Sequence, residues 1–242
     1  MSDLIVARQF RGPPFTANGG YICGLMVARV GGRGQAMLRA GVPLDVAIAV
    51  QATGDDGVAL AGPDGAVLGS ATATLTRDLP EPPAPLTQDQ ARLAQSTSPY
   101  GQTPLHRGCF SCCILRDPGE GLGVFVGQVE GREPGHAAGL WTPHANFACA
   151  DGTVPDEIIW GAMDCSGSMA WGLKTGHRVG LLGTMSGEVL RAPRADEPCV
   201  IQAWPLEVEG RKYFAGVALW SATGELLARS GQIWIGRPPV TA

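Results

Sequence analysis

The sequence predicts an α+β protein built as two repeats, each an apolar helix followed by four antiparallel strands. Three observations carry that prediction. A proline-rich, polar stretch divides the 242-residue chain near its middle. The apolar runs on either side follow the same order. The ends of the halves also match: Asp64-Gly65-Ala66-Val67-Leu68-Gly69-Ser70 parallels Thr223-Gly224-Glu225-Leu226-Leu227-Ala228-Arg229, each a tight turn running into a strand.

In the first half, residues 19–30 are apolar and long enough for a helix, with Asn18 as a good N-cap ahead of them. Strand-like runs follow at 35–42, 46–53, 57–61 and 67–76. Pro82, Pro83 and Pro85 then favour an extended connection, and a short helix fits 88–95. In the second half, residues 155–173 read as the helix, with Pro155, Asp156 and Glu157 in its first turn. Strand-like runs return at 179–190, 199–207, 213–220 and 226–235. The expected division is 1–80 for the first half, 81–105 for the linker and 106–242 for the second half. Both long helices are apolar nearly all round, so each must be covered on most sides. A sheet curled around them does that.

The composition is that of a globular chain, 45% hydrophobic and 17% charged. A net charge of −4 gives no broad attraction to nucleic acid or anionic lipid. The N-terminus lacks the basic and apolar regions of a signal peptide, and no apolar run reaches the roughly 18 to 20 residues of a membrane span. A cytoplasmic location is expected.

Seven cysteines, an odd count, read as thiols in that setting. Cys23, Cys149, Cys165 and Cys199 are scattered and read as buried small hydrophobes. Cys109-Phe110-Ser111-Cys112 has the spacing of half a zinc ribbon, with His106 three residues upstream. A structural zinc takes four ligands and the second pair is missing. The turn, with Cys113 beside it, is expected to bury thiols without metal, and no cofactor is expected.

The helix-then-four-strands order is the hotdog order, and two copies in one chain make a double hotdog. Two stretches carry a closer resemblance. Cys109-Phe110-Ser111-Cys112, followed by Arg116-Asp117-Pro118-Gly119-Glu120-Gly121-Leu122, is similar to the opening of many small hotdog thioesterases. Cys113 stands where those carry glycine. Arg191-Ala192-Pro193-Arg194-Ala195-Asp196-Glu197, and Gly224-Glu225-Leu226-Leu227-Ala228 ahead of Gln232, resemble stretches of the thioesterase II type acyl-CoA thioesterases. Asn18-Gly19-Gly20 before an apolar helix resembles the Gly-Gly helix start of that family. The resemblance implies a double hotdog acting on acyl-CoA thioesters, with a place in fatty acid metabolism and room for a homo-oligomer.

The residues supply a matching chemistry. Thioester hydrolysis needs a positioned water that loses a proton, donors for the developing oxyanion and an apolar slot. Asp164 is alone among apolar residues, where an unpaired carboxylate is costly. The resemblance places it at the water-activating aspartate; the alternative is an aspartate that bonds backbone amides near Gly167. Gln232 falls where the family has a catalytic glutamine; the alternative is a solvent-facing strand residue. The family's threonine place falls on Leu182, and a two-residue gap would put Thr184 there, with Ser186 on the same strand face. Gly19 and Gly20 offer helix N-terminal amides for the carbonyl oxygen or serve as a plain cap. Asn18 stands near, while Thr16 occupies the place of a histidine in some family members.

Other motif readings fail. Gly119, Gly121 and Gly123 lack the strand and helix of a dinucleotide site. No Gly-x-Ser-x-Gly elbow is present. His106, His136, His144 and His177 lack metal spacing. Three functions remain: an acyl-CoA thioesterase, an acyl-CoA-binding protein without turnover, and a hydratase. The hydratase needs an Asp-His pair on one helix, which neither helix carries.

Overall fold

A computed structural model describes residues 3–13 and 15–236. The first half runs β1 (Leu4–Ile5), α1 (Gly19–Ala28), β2 (Arg33–Leu38), β3 (Ala47–Thr53), β4 (Gly57–Ala61) and β5 (Val67–Thr72). The connection carries α2 (Gln88–Ser96). The second half runs β6 (Gly127–Gln128), β7 (Ala137–Trp141), α3 (Asp156–Thr175), β8 (Leu181–Val189), β9 (Cys199–Glu209), β10 (Lys212–Ser221) and β11 (Leu226–Ile235). All eleven strands form one antiparallel sheet in the order β1-β3-β4-β5-β2-β8-β11-β10-β9-β7-β6. The α+β class and the single antiparallel sheet agree with the sequence, and the fold is consistent with a hotdog. Among the described residues, no helix is long and apolar enough to cross a membrane.

The halves meet at the β2–β8 seam, where Gln35 lies opposite Ser186, Ala36 opposite Met185 and Met37 opposite Thr184. Helix α1 stops two residues before the expected end. Arg29 and Val30 close it with N–H bonds to Met26 and Val27 carbonyls, and Gly31 and Gly32 take positive φ. Helix α3 ends at Gly176, whose φ of 74° suits a left-handed cap.

One face of the sheet packs on α1 and α3. The two helices touch at backbone distance because Gly20 and Gly24 have no side chain. A Cβ on Gly20 would lie 2.6 Å from Trp160 O and 2.7 Å from Asp164 Cβ; one on Gly24 would lie 2.6 Å from Glu157 Cα. This contact sets the N-terminus of α1 against the middle of α3.

The other face of the second half is covered by the connection. Leu86, Ala91 and Ala94 pack on Ala138, Val200, Ala218 and Trp220, and Gln202 Nε2 donates to Ala84 O at 3.2 Å. Helix α2 begins with a capping box between Thr87 and Gln90. Its two buried alanines form the stripe that meets the sheet. The proline-rich segment is thus a strap laid on the sheet.

Candidate active site

A cleft of about 310 Å³ opens where the halves meet. Its walls come from Thr16, Ala17 and Gly19 before and at the start of α1, the loop from Leu38 to Val42, the start of β8 and the end of β11. Asp164, Cys165 and His106 also line it.

Asp164 is 4% exposed. The fully buried Asn18 fixes it from the other half. Asn18 Oδ1 accepts from Tyr21 N at 2.9 Å as the cap of α1, which turns its Nδ2 onto Asp164 Oδ2 at 2.7 Å. Asp164 Oδ1 is left without a well-formed hydrogen bond. Among the described residues no Lys, Arg or His pairs with this carboxylate. Burial pushes its pKa up to about 7, with a further push from Cys109; the Gly20 N–H and the Asn18 amide oppose that rise.

Of the first-turn N–H groups of α1, Tyr21's goes to Asn18 and Gly20's approaches Asp164. Gly19 stands in the cleft wall itself. Asn18, Gly19, Gly20 and Asp164 are therefore brought together across the two halves.

Gln232 and Thr184 stand elsewhere. Gln232 is 1% exposed on β11. It donates to Met163 O at 2.9 Å and accepts from Trp234 Nε1 at 2.9 Å. Gly167 makes room for it, since a Cβ there would sit 2.1 Å from Gln232 Oε1. Gln232 is thus neither solvent-facing nor part of the cleft wall; it ties β11 to the turn of α3 that presents Asp164. Thr184 lies behind a β-bulge. Ile233 pairs with Thr184 but Trp234 pairs with Leu182, so Gly183 is the extra residue. Leu182 follows Trp234 onto the helix face and into the cleft wall. Thr184 follows Ile233 and, across the seam, Met37 onto the opposite face. The expectation that 182, 184 and 186 share one face is corrected by that bulge, for which Gly183 was the sequence signal.

Two further residues line the cleft. His106 carries a pKa lowered to about 4, by burial and then by Arg178. Arg39 brings a cation to the wall. The sequence marked His106 only as a neighbour of the cysteine turn and Arg39 not at all, and the closing of the fold brings both into the cleft wall with Asp164.

The cysteine turn is pinned over α3. Phe110 N bonds to Arg11 O at 2.7 Å, and the Phe110 ring meets Phe10, Tyr21 and Phe147 edge-on. This packing brings Cys109 and Cys112 to Cys165 on α3, with the three sulfurs all within 4.8 Å of one another. The expectation of a metal-free turn rested on a lack of further ligands nearby. A third thiol comes from a helix more than fifty residues away.

The fold is shared with solved structures along most of its length. A protein from Novosphingobium aromaticivorans, described provisionally as a thioesterase, superposes with a TM-score of 0.59 at 19% identity, covering 97% of this chain and 94% of that one. A protein from Thermobifida fusca, described provisionally as a thioesterase II, gives 0.56 at 17% identity over 94% and 90%. The tesB protein of Mycobacterium avium subspecies paratuberculosis gives 0.55 at 14% identity over 96% and 91%. No family model and no curated protein sequence matches the chain. At these identities the likeness defines the architecture alone.

Proposed function

We propose that the chain is a double hotdog protein, with halves at 1–80 and 106–242, that hydrolyses an acyl-CoA thioester at the Asp164 cleft. The observation that carries this reading is the buried carboxylate in the cleft wall. One oxygen is held by Asn18, the other has no well-formed hydrogen bond, and among the described residues no cation pairs with the carboxylate. Such an oxygen is where an attacking water can leave its proton. As the water oxygen bonds to the thioester carbon, Asp164 takes that proton; the carbon–sulfur bond then breaks and the thiol departs with it. The start of α1 directs N–H groups and the positive end of its dipole at the developing oxyanion. Gly19 is the group of that set in the cleft wall.

Ile22, Leu38, Val42, Leu182 and Trp234 make the slot apolar, which suits an acyl chain. A volume of about 310 Å³ is at the small end for ligand sites. It suits the acyl group alone, with the coenzyme outside and its phosphates drawn toward Arg39. Gln232 acts as a positioning residue through Met163. The architecture shared with thioesterase-like structures supports this reading.

A second reading, acyl-CoA binding without turnover, is favoured by Gln232 being committed to Met163 and Trp234 while Thr184 faces away. Release of coenzyme A thiol from acyl-CoAs of graded length separates the two. Hydrolysis that Asp164→Asn lowers by roughly 10²- to 10⁴-fold supports the enzyme. Saturable binding with no thiol release supports the second reading and ends the first.

A further inference from the structure

We propose that Cys109, Cys112 and Cys165 form a binding site for a thiophilic d¹⁰ metal ion, zinc in the first instance, beside the cleft. The inference stands apart from the thioesterase reading, because it rests on the thiols alone. The three sulfurs are buried and lie within 4.8 Å of one another, with Cys109 Sγ and Cys165 Sγ 3.9 Å apart. Thiolates around one ion at a Zn–S bond of about 2.3 Å stand roughly 3.8 to 4.0 Å apart. The Cys109–Cys165 pair already has that spacing, and Cys112 Sγ lies within 4.8 Å of both.

The surroundings favour sulfur anions. The N–H groups of Ser111 and Cys112 turn toward Cys109 Sγ, the second and third amides after the cysteine, and Asn18 Nδ2 lies 3.7 Å from the same sulfur. Bound to a metal ion, all three would be thiolates. A dication would leave a net charge of about −1, comparable to what a Cys₃His zinc site carries. Cys165 also lines the cleft, which puts the trio next to it.

The test begins with the unmodified chain, produced with zinc supplied and purified without chelator. Elemental analysis is expected to find one zinc per chain. Replacement by Co²⁺ is expected to give the near-ultraviolet charge-transfer band of thiolate ligands and the visible bands of a tetrahedral ion. Cys165→Ser is expected to weaken zinc binding by at least about 100-fold, while Cys149→Ser, at an exposed thiol, leaves it unchanged. Copper(I) held in place of zinc, with loss on Cys165→Ser, also supports the proposal. Reduced unmodified chain that takes up neither zinc, cobalt nor copper(I) overturns it. So does a disulfide within the trio in the freshly purified protein, or undiminished binding by Cys165→Ser. The measurements on the unmodified chain decide the matter even where that variant fails to fold.

Discussion

Gly24→Ala adds one methyl group at the point where α1 rests on α3. The new Cβ would stand 2.6 Å from Glu157 Cα and 2.9 Å from Trp160 Cβ. Ordinary carbon contacts lie at about 3.5 to 4.0 Å, so the helices must part by roughly 1 Å. Neither side gives easily. Glu157 Cα is backbone, and Trp160 is 0% exposed. Its indole is also hemmed in by β8, where a Cβ on Gly187 would meet Trp160 Cη2 at 3.2 Å. Overpacking of this kind costs about 1 to 3 kcal/mol. Alanine returns up to about 1 kcal/mol through helix propensity. The expected net loss is roughly 1 to 2 kcal/mol. With a urea slope of about 3 kcal/mol per molar for a chain of this size, the unfolding midpoint should fall by roughly 0.5 M. Urea titration followed by tryptophan fluorescence reads it. A midpoint equal to or above that of the parent would mean that the helices do not meet at backbone distance, and would remove the reason given for where Asp164 sits.

Gly20→Ala makes the same clash against Asp164 Cβ, and thiol-release assays should show turnover falling more than stability does. Gln232→Leu leaves Trp234 Nε1 without its acceptor in the interior and removes the second bond to Met163 O; denaturation should show a loss of about 1 to 3 kcal/mol, and an unchanged midpoint would refute the bracing role. Thr184→Val should leave hydrolysis within about twofold of the parent, since the side chain lies across the sheet from the cleft; a loss of tenfold or more would place it at the chemistry. His136 has its pKa lowered from 6.5 by burial and then by Arg132, and its Nε2 is buried without a partner. The unfolded chain therefore binds more protons below about pH 6.5, and folding stability should drop as pH falls through that value toward the lower folded pKa. Urea midpoints at pH 7.5 and 5.5 should differ less in His136→Gln than in the parent.

The repeat order and the helices were legible in the sequence because they follow periodicity and capping, which are local. Asn18 before Gly19 and Gly20, and the paired turns at Gly65 and Gly224, each announced a boundary that the chain keeps. Asp164 was legible for a related reason: a charge inside an apolar helix needs a partner. The shortfall of strand β2, which ends at Leu38 and not at residue 42, was hidden because Arg39 and Ala40 both turn their N–H groups to Leu68 O, a contact from another strand. Thr184 was misplaced by one face because a single bulge inverts every residue beyond it. The strap was hidden too. A polar, proline-rich segment reads as free chain until Leu86 and two alanines find the back of a sheet. Cys165 read as core filler, and its meeting with Cys109 and Cys112 depends wholly on tertiary packing.

The β2–β8 seam has a consequence for how labour is divided. If two separate chains met along it, they would do so only above a threshold concentration, and identical partners would carry identical faces. Tethering through the strap supplies the mate at an effective concentration on the order of millimolar. Each half is then released from having to be self-sufficient, and from having to resemble its mate. The ten-residue α1 contributes an open helix start and the twenty-residue α3 contributes the carboxylate. Neither half holds both. A change that improves one contribution need not be tolerated twice, so the two ends of the cleft are free to diverge independently within a single gene.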